Sequence, residues 1–201
     1  MTTITREQKQ QFAEEGFFIL ENAIPEHHIA LLRSECQSFI DKADAKMDAE
    51  GTDHLGLNHR NSRYFVANCF REQTSLREFL FSDLMAEICR ATLGDEAYLF
   101  WEQYVVKGAE AGKAFSWHQD SGYVGHPEHK AYLTCWCALD DMSEANGTVH
   151  LLPFSRSGIR TWVQHIRDEA SGDKIGYFGD DPGIPVIVPA GSIAVFSSYS
   201  F

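Results

Sequence analysis

Short stretches rich in β-branched and aromatic residues fill the second half of the chain, and they restrict its fold more than any other feature. They are residues 96–107 (EAYLFWEQYVVK), 131–139 (AYLTCWCAL), 147–153 (GTVHLLP), 184–189 (IPVIVP) and 191–198 (GSIAVFSS). Turn-forming segments separate them: ALDDMSEANG at 138–147, FSRSG at 154–158, FGDDPG at 178–183 and VPAGS at 188–192. Glycine, proline and aspartate at this spacing break a chain into short strands, the pattern of a sandwich or barrel.

The first half reads as helical. Thr5 with Gln8 three residues later forms a capping box for a helix that runs to about Glu15 and stops at Gly16. Residues 17–22 (FFILEN) read as a strand. Pro25 suits the first turn of a second helix, whose apolar stripe is Ile29, Leu32, Cys36, Phe39 and Ile40. Beyond it, residues 41–51 (DKADAKMDAEG) read as a solvated, charged tail. Residues 63–70 (RYFVANCF) read as a strand, and Ser82 caps a helix ending at Gly94. Helices first and strands second predict an α+β fold with a mainly β core. A single domain over 1–201 is expected, with 1–95 mostly helical and 96–201 forming the β core.

Charge narrows the partners. The formal net charge is −12, so phosphate backbones and anionic membranes would repel the chain, and neither nucleic acid nor a membrane is an expected partner. The polar N-terminus carries no signal-peptide apolar region, and no apolar run reaches the roughly 18 residues of a spanning helix. A cytoplasmic location is the expectation. Cys36, Cys69, Cys89, Cys135 and Cys137 are odd in number and lack a CxxC pair, which fits reduced thiols. Cys135 and Cys137 flank Trp136 and read as small apolar residues on one face of a buried strand, in preference to a pair of metal-binding thiolates.

The chemistry gathers at residues 115–123, FSWHQDSGY. In an extended chain, positions i and i+2 share a face, so His118 and Asp120 converge while Gln119 points away. One imidazole and one carboxylate suit Fe(II), Mn(II) or Zn(II), and a second histidine would complete a facial triad. The tripeptide alone also suits a hydrogen-bonded turn. His126 and His129 offer a zinc-like cluster with the pair, or else lie in an exposed loop. His150 and His165 lie on a strand and in an insertion, away from the ligand position.

The order of features around this tripeptide resembles the phytanoyl-CoA dioxygenase family of Fe(II)/2-oxoglutarate oxygenases. The residues that carry the resemblance are EQYVVKGAEAGKAFSWHQDSGY (102–123), LTCWCALDDMSEANGTVHLLPFSRSG (133–158) and PAGSIAVFSS (189–198). It implies a double-stranded β-helix, a cupin-like jelly roll with helices packed on it. The implied activity is hydroxylation of an unactivated C–H bond of a small organic substrate with Fe(II), 2-oxoglutarate and O₂, releasing succinate and CO₂. Asp120 favours hydroxylation over halogenation, because halogenases of this type lack the carboxylate.

By the same resemblance His118 and Asp120 are iron ligands, and Gln103, Trp136 and Arg63 meet 2-oxoglutarate. Lys107, Tyr123 and His126 are expected to face the substrate. The third ligand, a histidine, is expected just after Phe201, so the chain reads as a family member cut short, its last strands missing. A catalytically inactive relative, or a jelly roll that binds metal without catalysis, is the competing reading.

Overall fold

A computed structural model describes residues 4–108, 115–124, 128–169 and 173–201. Helix α1 (Arg6–Glu15) starts at the expected capping box, with Thr5 and Gln8 bonded reciprocally, and ends at Gly16, which turns left-handed at φ 82°. Strand β1 (Phe17–Leu20) follows at once. Helix α2 spans Glu26–Glu50, with Pro25 as its cap and left-handed Gly51 as its stop. The expected solvated tail is therefore helix, and Met47 within it is fully buried. Good helix formers such as Ala, Lys, Met and Glu carry the helix through the charged stretch, and one buried methionine fixes its inner face.

Strands β2 (His54–Leu55), β3 (Asn58–His59) and β4 (Arg63–Ala67) come next, then the short helix α3 (Leu76–Leu80) and α4 (Asp83–Thr92), capped by Ser82 as expected. Strand β5 covers only Gln103–Lys107. The preceding residues 96–101, expected to be strand, form no ladder, and Tyr98, Phe100 and Trp101 are exposed. Strand propensity needs a pairing partner to become a strand. The remaining elements are β6 (Leu133–Cys137), β7 (His150–Leu151), the single-turn α5 (Phe154–Ser157), β8 (Ile166–Arg167), β9 (Lys174–Ile175), β10 (Ile184–Pro185) and β11 (Ile193–Ser197).

Three of these strands form the central sheet, in the order β1-β11-β6 and antiparallel throughout. A second antiparallel sheet runs β2-β3-β4-β5, and β7–β10 and β8–β9 form two-stranded pairs. The central sheet separates two apolar clusters. Ile193 and Val195 point toward α1–α4 with Phe18, Leu32 and Ile88, and Leu133, Cys135 and Cys137 join them. Ala194, Trp136, Phe17, Leu151 and Val186 lie on the other face. This is the period of two that a strand imposes. Cys135 and Cys137 thus pack, partly buried, against the core, and burial pushes the Cys137 thiol up to about 12. Every cysteine is free.

The motifs beyond the His-x-Asp turn serve the architecture. Ala138 exchanges backbone bonds with Ser192 and Gly191, and Asp141 accepts from the Ala190 N–H at 2.8 Å. Asn146 ties its own turn together, taking Ser143 and donating to the Asp141 carbonyl at 2.6 Å. Among the described residues, no helix is long and apolar enough to cross a membrane.

Candidate metal centre

His118 and Asp120 lie where an extended residue, Gln119 (φ −91°, ψ 141°), passes into a 3-10 turn at Asp120–Tyr123. The structure brings their side chains together, with His118 Nε2 3.8 Å from Asp120 Oδ1. That separation is too long for a hydrogen bond. His118 Nδ1 lies 2.8 Å from the Ser116 carbonyl. A carbonyl only accepts, so Nδ1 carries a proton and Nε2 is the nitrogen turned toward Asp120. Thr134, on β6, donates its hydroxyl to Asp120 Oδ2 at 2.5 Å. One carboxylate oxygen is thereby occupied and the other faces His118 Nε2. An imidazole held by a backbone carbonyl and a carboxylate held by a hydroxyl are what a metal's outer shell provides. The donor set, one imidazole nitrogen and one carboxylate, fits Fe(II).

Gln119 fixes the pair from behind. It is fully buried, and its amide nitrogen donates to the carbonyls of Thr161 and Tyr199 at 2.9 and 2.7 Å. Its Oε1 accepts from Val163 N–H at 3.0 Å, and its own N–H donates to His165 Nε2 at 2.9 Å. His165 Nδ1 in turn meets the Val163 carbonyl at 2.8 Å. Both nitrogens of His165 are therefore committed, and burial holds its pKa below the ordinary imidazole value. Ser121 completes the anchorage, bonding Ser198 through backbone and hydroxyl.

The other expected residues divide by face. The β4–β5 register pairs Arg63 with Lys107 and Ala67 with Gln103, which places Arg63, Gln103 and Lys107 on one face of that sheet. Phe115, three residues before His118, lies over the same face: it meets Phe65 edge-on and carries the Lys107 ammonium 4.4 Å from its ring centre. Arg63 is bonded to the Leu57 carbonyl at 3.0 Å, with His59 beside it, and Gln103 accepts from the Trp101 indole. Trp136 shares its strand face with Thr134, the residue that holds Asp120. The Tyr123 ring stands edge-on to His118 at 5.2 Å, and Lys174 lies 5.2 Å from that ring's centre while donating to the Gly122 carbonyl.

His126 lies outside the described residues. His129 packs edge-on to Tyr199 and His150 bonds the Pro182 carbonyl. Among the described residues, no third His, Cys, Asp or Glu has a ligand atom within 4.8 Å of both His118 and Asp120. Thr134 and Lys174 were not expected from the sequence; His165, read there as part of an insertion, packs behind Gln119. Thr134 alone had a signal, being two residues from Trp136 on a strand that alternates.

Helices on one face of an antiparallel sheet, with a His-x-Asp turn anchored to its last strand, define the class. The fold is shared with EvdO2 of Micromonospora carbonacea var. aurantiaca, whose structure holds 2-oxoglutarate: 20% identity, TM-score 0.72, 99% of this chain and 83% of that one. It is shared also with EctD of S. alaskensis, solved with 2-oxoglutarate and 5-hydroxyectoine, at 20% identity and TM-score 0.66 over 98% of this chain and 68% of that one. An ectoine dioxygenase of Bordetella parapertussis is 28% identical over 156 residues, 76% of this chain and 49% of the relative. The chain spans about half the length of the curated relatives it matches. The family model for phytanoyl-CoA dioxygenase (PhyH) matches residues 12–201, and the chain belongs to that family.

Proposed function

We propose that the chain is the core of an Fe(II)- and 2-oxoglutarate-dependent dioxygenase that hydroxylates a C–H bond of a small organic substrate. Its fold is read as a jelly roll, with the metal at its mouth. The observation that carries this is His118 Nε2 facing Asp120 Oδ1, each side chain held from behind by a partner that is not itself a ligand. His118 and Asp120 would hold the iron, and a third histidine, expected beyond Phe201, would complete the triad. The chemistry supplied with iron bound is O₂ activation coupled to decarboxylation of 2-oxoglutarate, giving succinate, CO₂ and a hydroxylated product.

The chain's own tasks are orientation and exclusion of water. The Ser116 carbonyl keeps the His118 proton on Nδ1. Thr134 keeps Asp120 from rotating. Gln103, Trp136 and Arg63 are assigned to the cosubstrate, and Lys107 supplies a cation on the same sheet face as Gln103. Tyr123 walls the opening beside His118, and with Lys107 and His126 it is assigned to the substrate. Ectoine, named in a relative, heads the candidate substrates.

The test is 2-oxoglutarate binding by calorimetry with Fe(II) under anaerobic conditions, followed by succinate formation in air over a substrate panel that includes ectoine. Loss of both in His118→Ala and Asp120→Ala is expected. Absence of 2-oxoglutarate binding in the unsubstituted protein would overturn the assignment, and iron binding without cosubstrate binding would favour a non-catalytic relative.

A further inference from the structure

We propose that His27, His28 and Glu78 form a site for a zinc-type divalent cation that ties the first turn of α2 to α3. One ligand atom from each of these residues lies within 4.8 Å of the others. His28 Nε2 is 3.7 Å from Glu78 Oε1, and the two imidazole rings stand 4.1 Å apart between centres. Ligands about 2.1 Å from a tetrahedral zinc lie roughly 3.4 Å from one another, so closure needs only small movements. Glu78 is exposed and free to make them.

The second observation is the state of His28. The residue is 7% exposed, yet its Nδ1 is buried with no hydrogen-bond partner. Nε2 stands too far from Glu78 for a hydrogen bond. A buried imidazole nitrogen without a partner is rare, because the lost hydration is not repaid. An ion pair with Glu78 does not remove the anomaly: burial first, and His27 second, hold the His28 pKa below the ordinary value, so the ring is neutral near pH 7. A neutral imidazole beside another imidazole and a carboxylate is a donor set for zinc, nickel or copper.

The placement also suits a structural tie. Helix α3 has only five residues and no side-chain cap, too short to hold itself together. It meets α2 through Phe79, whose ring packs edge-on against His28 at 5.5 Å. A cation on Glu78 and His28 would lock the neighbouring turn of that contact, and the acidic net charge of the chain favours its capture.

The experiment titrates ZnCl₂ into the metal-stripped His118→Ala/Asp120→Ala chain by calorimetry. One equivalent is expected, with a rise in the unfolding midpoint of about 5 °C when zinc is present at roughly a hundredfold its Kd. Glu78→Gln leaves the buried ring in place, and it should weaken zinc at least tenfold; His27→Ala should do the same. In the chain that keeps His118 and Asp120, Glu78→Gln should lower the zinc stoichiometry by one. The proposal fails if the doubly substituted chain takes up no zinc below millimolar concentration. It fails equally if Glu78→Gln and His27→Ala leave the affinity unchanged, since the zinc would then lie elsewhere.

Discussion

Thr134 donates to Asp120 Oδ2, and that single bond leaves Oδ1 facing His118, the oxygen the proposed iron would take. Replacing the hydroxyl by a methyl in Thr134→Val keeps the branched shape that the strand prefers. The expected result is Fe(II) affinity lowered by about tenfold to a hundredfold, with the unfolding midpoint almost unmoved. Metal titration set against thermal unfolding separates the two, and unchanged affinity would remove Thr134 from the site. At this scale the sequence is readable only where chemistry repeats with backbone period. His118 and Asp120 are two apart around an extended Gln119, so their convergence follows from the tripeptide. The bonds of Gln119 to Thr161, Val163 and Tyr199 do not, because those partners are carbonyls and an N–H that every residue carries.

Among the elements, the capping box of α1 and the Ser82 cap of α4 are legible because the interaction is local. The length of α2 and the brevity of β5 are not, since tertiary contacts decide both. The β8–β9 pair escapes detection altogether; it is two residues long on each side, and His165 immediately precedes it. Gly122 and Gly176 lie against the His165 ring. A Cβ at Gly122 would come 2.5 Å from Nε2, and one at Gly176 would collide with the same atom. Gly176→Ala is therefore expected to push His165 off the Gln119 N–H and to cost about 1–3 kcal/mol. On a His165→Ala background the same change should cost at least about 0.5 kcal/mol less, because the ring is gone. Strictly additive costs in denaturant unfolding would show that Gly176 acts elsewhere.

Strands from the two halves of the chain meet in the central sheet. β1 pairs with β11 along Phe17–Phe196, Phe18–Val195, Ile19–Ala194 and Leu20–Ile193, and the Gly16 carbonyl accepts from both the Ser197 N–H and the Ser200 hydroxyl. From β11 the path to His118 and Asp120 is short: Ser198 bonds Ser121, the residue after Asp120. An N-terminal strand thus borders the strand that anchors the site, a pairing the sequence does not disclose because its partners are about 180 residues apart. Phe18 sits at this junction, fully buried and edge-on to Phe12. Phe18→Ala removes a large ring from a packed layer and should cost about 3–5 kcal/mol. If this sheet and the site form one cooperative unit, that loss must appear equally in the helices of the first half and in the aromatic residues around His118. Far-ultraviolet circular dichroism reports the former. Tryptophan emission reports the latter, since Trp117 adjoins His118 and the Trp162 indole donates to the Ser121 carbonyl. The two transitions should coincide and shift together to lower denaturant. A tryptophan transition left in place while the helical signal moves would mean that the site folds without β1, and that the junction through Ser198 does not transmit stability.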